Sequence, residues 1–423
     1  MRGDDEGLVR GIGPLGLTAG VVNVVVGGGI FVLPAAVARE LGSAGVLAYV
    51  VCGMAMVLVT ISFAIAGSRV SRTGGAYVYV ETAFGSFAGY LAGLLAWVSG
   101  ALASAGLVAA LAEIASASHP SLQTRAGQVA LVVAIYAGPV ALNLLAIRTG
   151  TRLVVVAASI KLATLVLFLL LSAHAVETPN LRWATSVDLT HLGRASILAF
   201  FSLAGMEAAI GASGEIREPE RTVPFALLAG MLFVIGLYVA IHLVAQGVLG
   251  ERLPESRAPL ADAVGLVWPA GRTLMLAGMG FSMLGLVAGN LLGSSRILFA
   301  FGRDGFLPSV VASLHARTRI PQTAVLLQAS IVFLLAVTRT FVKLAILASV
   351  TNAVLYGMAC AAALTLARSP APRVLTALGV LAMFWLAAQS TRDELAAVGA
   401  TLLAGVVLFF LTRRRRAALS IDG

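Results

Sequence analysis

Charge is what this 423-residue chain has least of: 11% of its residues are Asp, Glu, Lys or Arg, where soluble domains carry about 25%. With 59% hydrophobic residues, that scarcity excludes an ordinary water-soluble domain. Cysteine is nearly absent. Cys52 and Cys360 each fall inside an apolar run, where a free thiol acts as a small packing group, so neither a disulfide framework nor a metal-ligand spacing exists. No H-E-x-x-H, no G-x-S-x-G and no paired intramembrane aspartates occur, which removes the usual marks of a membrane-embedded enzyme. No cofactor or metal is expected. Linkers and low-complexity segments are missing too. The longest polar stretches, 175–191, 250–272 and 302–321, are too short for a core of their own, so residues 1–423 read as one membrane domain.

Long apolar runs are what the chain has in quantity. Each needs about twenty residues to cross roughly 30 Å of hydrocarbon at 1.5 Å per residue. Twelve are expected: 14–38, 46–67, 84–116, 127–147, 153–173, 192–212, 225–248, 272–300, 322–338, 343–366, 373–389 and 395–412. The first contains an A-x-A match, Ala36-Val37-Ala38, but the preceding apolar stretch is long and glycine-interrupted, so the segment is read as retained rather than cleaved. The net charge of +10 is distributed by side. With a cytoplasmic N-terminus, inner loops carry Arg2, Arg10, Arg69, Arg72, Arg148, Arg152, Arg217, Arg221, Arg303, Arg317, Arg319, Arg368, Arg373 and Arg413 to Arg416. Outer ones carry Arg39, Arg125, Arg182, Arg194, Arg252, Arg257, Arg272, Arg339, Lys343 and Arg392, about 17 against 10. That bias places both termini inside. The final arginine run is a topological stop, so the partner implied is a lipid bilayer and not a nucleic acid.

Two of the twelve runs are interrupted. Gly27-Gly28-Gly29-Ile30-Phe31 breaks the first, and Ser202-Leu203-Ala204-Gly205-Met206-Glu207 breaks the sixth. A helix broken at mid-membrane depth is tolerated only where its loosened backbone groups meet protein, water or a ligand, and secondary transporters bind substrates at such places. Because five segments separate the breaks, units 1–5 and 6–10 enter the membrane from opposite sides. The expected fold is therefore all-α and polytopic, with twelve transmembrane helices in a LeuT-type 5+5 inverted repeat. Helices 1 and 6 are discontinuous, residues 10–173 and 191–366 form the repeats, and 373–412 adds two helices. Glycines at four-residue spacing, Gly16 and Gly20, Gly89 and Gly93, and Gly285, Gly289 and Gly293, are expected to line helix contacts.

The breaks carry the chemistry. Unwinding at Gly27, Gly28 and Gly29 exposes amides ahead of a half-helix starting near Ile30, whose positive dipole end suits a carboxylate. Carbonyls of Val24, Val25, Phe201 and Ala204, beside Ser202 and Gly205, suit an ammonium group. Carboxylate plus ammonium describes an α-amino acid; the alternative is a glycine kink without a ligand. Glu207 is an ionisable side chain at depth, where an unpaired charge costs roughly several kcal/mol, so it marks a pathway or is a protonated structural group. Phe200 and Phe201 precede the break and either close over a bound side chain or serve as core aromatics. Lys161 is the only lysine in the interior of a predicted span, Lys343 standing at the edge of its own. Desolvation of an ammonium at depth favours loss of its proton, so Lys161 either titrates during proton coupling or stands as a charged strut in a cation site. His242 and Glu113 have no convergent partners in sequence and are read as structural.

Together these residues resemble the amino acid-polyamine-organocation (APC) family of amino acid permeases. The first break is similar to that family's G-[SAT]-G-I-F motif, followed here by Pro34. Phe201 to Glu207 is similar to its aromatic-S-x-x-G-x-E pattern, and Glu215 to Pro224 to its E-x-x-x-P-x-R-x-x-P loop. Ser71-Arg72-Thr73-Gly74-Gly75-Ala76-Tyr77 and Arg303-Asp304-Gly305-Phe306-Leu307-Pro308 match two further cytoplasmic-loop signatures. The resemblance implies a LeuT-like core, alternating access, a substrate carboxylate at Gly28 and Gly29, and an amine on the carbonyls of Val25, Phe201 and Ala204. It also implies that Lys161 takes the place of a sodium ion. Gly28 replaces the frequent serine at the middle motif position, removing a hydroxyl donor.

The expected function is secondary transport of amino acids, proton-coupled or by exchange, in a prokaryotic plasma membrane. A neutral, apolar substrate is expected: a cationic one calls for a carboxylate, for which only Glu207 is available, and an anionic one calls for an arginine, of which none is read at mid-span. The alternatives are a polyamine or cationic amino acid antiporter, a channel, and a transporter-like sensor that binds without flux.

Overall fold

The computed structural model describes residues 11–70, 74–145, 150–183 and 186–412, without the side chains of 151–158 and 211–215. Arg2, Arg10, Ser71 to Thr73, Arg148 and Arg413 to Arg416, and the side chains of Arg152 and Glu215, lie outside the described residues. The described chain is helical, and its only β pairing is a parallel bridge between Ile12 and Ile216.

Fifteen α-helices follow one another: α1 (Pro14–Val25), α2 (Leu33–Leu41), α3 (Val46–Gly67), α4 (Ala76–Phe84), α5 (Ser86–Ser116), α6 (Arg125–Leu144), α7 (Gly150–Ser172) and α8 (Leu189–Leu203). Then come α9 (Pro219–Leu249), α10 (Pro259–Val267), α11 (Pro269–Arg303), α12 (Gln322–Thr338), α13 (Phe341–Leu366), α14 (Pro370–Ala388) and α15 (Arg392–Leu411). Among the described residues nine helical stretches are long and apolar enough to cross a membrane, and Pro14–Val25, Ser159–Ala175 and Gln322–Thr338 are shorter apolar helices. This is a polytopic membrane protein. Proline at the first or second helical position opens α1, α2, α9, α10, α11 and α14, where its missing N–H is not needed. Two short helices, α4 and α10, fall in stretches the sequence reading leaves as loops.

The chain packs as two compact units. One holds Met1–Ala96, Ala175–Pro254 and Ser349–Leu395; the other holds Trp97–His174, Glu255–Ala348 and Ala396–Gly423. In the first, α9 packs along α1 and α3, α8 against α2 and α3, and α14 against α3. An added Cβ at Gly53 of α3 would sit 2.8 Å from Ile235 of α9, and one at Gly230 of α9 would sit 2.7 Å from Val21 of α1. In the second unit, α11 packs on α6, α7 and α12, with Gly278 against Thr164 of α7.

The expected glycine stripes hold only in part: an added Cβ at Gly89 of α5 would sit 2.7 Å from Glu81 of α4, but others meet nothing. Gly20, Gly289 and Gly293 face no atom within 4 Å among the described residues. A four-residue spacing puts glycines on one helix face, but it does not say which face meets a neighbour. Ala36, Val37 and Ala38 lie buried inside α2.

Candidate functional site

Both interruptions are present in the first unit. α1 ends at Val25; Val26 to Gly28 are not helical, Gly29–Phe31 forms one 3₁₀ turn, and α2 resumes at Leu33. The second half-helix thus starts later than Ile30. In the sixth segment α8 continues through Ser202 and Leu203, so the break is narrower than its motif, only Ala204 and Gly205. A 3₁₀ helix, Met206–Glu215, follows. Gly205 has φ +115°, a backbone conformation that a side chain disfavours.

The breaks face each other. An added Cβ on Gly205 would lie 3.7 Å from the Val24 carbonyl oxygen, and one on Gly29 would lie 2.9 Å from Cδ1 of Phe201. Farther out, the Arg217 amide donates to the Ile12 carbonyl at 2.9 Å. Positions rise along segment one as they fall along segment six, so the two run antiparallel, with their breaks at the same level.

A tyrosine from a later helix holds each break. Tyr238 of α9 accepts a hydrogen bond from the Gly27 amide at 3.3 Å and donates to the Val25 carbonyl at 3.2 Å. Tyr356 of α13 accepts from the Gly205 amide at 2.8 Å and donates to the Glu207 carboxylate. In a continuous helix the Gly205 amide would go to the Phe201 carbonyl; here Tyr356 takes it. The amides of Gly28, Gly29 and Ile30 have no acceptor among the described residues. Three adjacent donors of this kind in a buried position favour an anion. The Val24 and Ala204 carbonyls likewise have no donor among the described residues, and Val25 keeps one lone pair beside its bond to Tyr238.

The remaining candidates fall in different places. Phe201 lies over Gly29, whereas Phe200 is fully buried, edge-on to Tyr356 with ring centroids 5.8 Å apart. Ser202 is buried and its hydroxyl returns to the Ala199 carbonyl. Glu207 is part-buried and bonded to Tyr356. Its own carbonyl oxygen abuts Gly75, where an added Cβ would sit 2.9 Å away, so the loop ahead of α4 touches the segment-six break. Lys161 is 4% exposed on α7, in the second unit, one turn before Thr164, which meets Gly278. Glu113 accepts from the Phe341 amide and so caps the start of α13. Arg296, absent from the sequence tally, lies within α11 and donates to the Leu292 carbonyl. No cluster of metal-ligating side chains occurs among the described residues. The two tyrosines escaped sequence reasoning, because nothing local ties Tyr238 or Tyr356 to glycines 211 and 151 positions away.

An apolar helical chain whose two broken helices meet at one level is built as a membrane permease. Residues 12–413 match the family model described as amino acid permease, and the chain belongs to that family. An uncharacterized transporter of Mycobacterium tuberculosis is 30% identical to it, over 96% of this chain and 94% of the relative. The branched-chain amino acid permease of Bacillus subtilis is 25% identical, over 76% and 73%. The chloroplastic cationic amino acid transporter 9 of Arabidopsis thaliana is 26% identical, over 73% and 58%.

Proposed function

We propose that this permease is a secondary active carrier of neutral, apolar amino acids that works by alternating access. It spans the plasma membrane of a prokaryote twelve times, with both termini cytoplasmic and a LeuT-type 5+5 inverted repeat. The observation that carries this reading is the juxtaposition of two unwound stretches with unengaged amides at Gly28, Gly29 and Ile30. The substrate carboxylate sits on those amides, and its ammonium on the carbonyls of Val24, Val25, Phe201 and Ala204. Buried Ile30 and Phe31 give the neighbourhood an apolar character, and Phe201, next to Gly29, covers the side chain.

Relatives named for branched-chain and for cationic substrates both match, so the pocket chemistry is what supports one reading over the other. Glu207, the only carboxylate at the breaks among the described residues, is taken up by Tyr356, which leaves no described anion dedicated to a cationic side chain. Transport is coupled to protons or runs as exchange, with Lys161 as one titrating group.

Counterflow of labelled leucine, alanine or methionine into preloaded proteoliposomes tests the carrier, because neither a channel nor a sensor produces it. Uptake of lysine or glutamate with no uptake of the three apolar substrates overturns the proposed specificity.

A further inference from the structure

Tyr238 does more than strap the first break, because it begins a line of buried polar side chains. Tyr238, His242 and Gln246 recur every four residues on α9 and are 0%, 0% and 4% exposed, so they share one face of the helix. The His242 ring lies against Tyr49 of α3, centroids 5.1 Å apart, and its Nε2 would be 2.5 Å from a Cβ on Gly45. Both ring nitrogens of His242, the Tyr49 hydroxyl and Oε1 of Gln246 are buried without a hydrogen-bond partner. Nε2 of Gln246 reaches the Asn180 carbonyl at 3.2 Å, at the end of α9 that closes with Gly250. An imidazole with neither nitrogen satisfied is expensive to bury. Four such atoms on one track call for a function.

We propose that His242 is a proton-binding residue of this carrier, loaded from the outer face along Gln246 and linked through Tyr49 and Tyr238 to the first break. A proton passes from hydronium at the outer face to the ring nitrogen that lacks one, and a water molecule is left behind. The ring then carries a positive charge in apolar surroundings, where a charge is tolerated only with a compensating anion. The substrate carboxylate on the Gly28 to Ile30 amides is that anion, so proton and substrate each favour the other's binding. Among the described residues no other charged group facing the ring competes. Tyr49 and Cys52 are the titratable groups of α3 here, and α1 has none. From α2 and the turn after it come Val37 and Gly45, while Arg39 and Glu40 are engaged by the Pro254 carbonyl and by His191. The 3₁₀ turn Thr178–Leu181 contributes Asn180, and Glu207 is held by Tyr356.

The inference rests on the carrier reading, and one set of measurements separates them. Counterflow at equal pH on both sides tests the carrier alone. The affinity for leucine, followed from about pH 8 to about pH 5, tests His242, since an imidazole charges in that interval once the bound carboxylate supplies the opposite charge that lets a buried ring keep the proton. Wild type is expected to tighten as pH falls, and counterflow-competent His242→Asn and His242→Leu are expected to lose that slope with Lys161 intact. A protein in which His119, His174, His191 and His315 are all glutamine, leaving His242 alone, is expected to keep it, and that arm needs no change at His242 itself. A wild-type protein with counterflow but no slope, His242 variants that keep the slope, or a single-histidine protein that loses it overturns the inference.

Discussion

At the scale of single residues, the absence of a side chain matters as much as its presence. Gly29 lies under Phe201 and Leu33 so closely that any Cβ would come within 2.9 and 3.1 Å of their carbons. A Gly29→Val change adds branched bulk where both the ring and a bound carboxylate must fit, so binding of leucine, measured by equilibrium dialysis of detergent-purified protein, should be abolished. Tyr356→Phe is subtler. It removes one oxygen and leaves the Gly205 amide without its acceptor and Glu207 without its donor. The loss of about 1–3 kcal/mol should appear as lower thermal stability together with weaker substrate binding. If Tyr356→Phe binds as wild type does, the segment-six break is held by something other than that hydroxyl.

Among the elements, α8 shows how a helix is delivered to the break. Asp188 caps it, accepting from the Thr190 amide at 2.7 Å, and that bond holds the Asp188 carboxyl below the ordinary carboxylate range. The cap therefore contributes stability in full above about pH 4, the unfolded value, and loses it as pH falls through the folded one. Thermal melts of wild type and Asp188→Ala should differ at neutral pH and converge in strong acid. Arg194, one turn into the same helix, makes a bidentate pair with Glu394 at 2.7 and 2.8 Å, which fastens the start of α15 to α8.

The breaks themselves were legible in sequence, because three glycines in an apolar run, and a glycine beside a glutamate in another, can hardly continue as plain helix. Their exact extent was not. Ser202 and Leu203 stay wound because their amides still find carbonyls one turn back, a balance that composition does not reveal. The short α4 and α10 went unseen for want of length, and the glycine stripes misled at Gly20, Gly289 and Gly293 because periodicity knows a face but not its neighbour.

For the whole molecule, the grouping of segments is informative. Under a shift of five, segment one corresponds to six, two to seven, three to eight and four to nine. The first compact unit holds one, two, six and seven, and the second holds three, four, five, eight and nine. Four of the five pairs thus keep both members in one unit, while the fifth is divided, with segment five in the second unit and most of segment ten in the first; the four shared pairs support the inverted repeat we propose. Lys161 and the breaks belong to different units. If Lys161 titrates during the cycle, Lys161→Ala should still exchange amino acids but lose its response to an imposed proton gradient. Uptake that keeps normal pH dependence after that change counts against the role.

The 3₁₀ helix Met206–Glu215 has ten residues, far more than the three or four such winding usually sustains. At about 2.0 Å per residue it is roughly 5 Å longer than the same residues coiled at 1.5 Å. It is in effect an extended spring: recoiling would draw the Glu218-Pro219 corner inward by that stroke while turning it about the axis, converting a local change of winding into displacement of the start of α9.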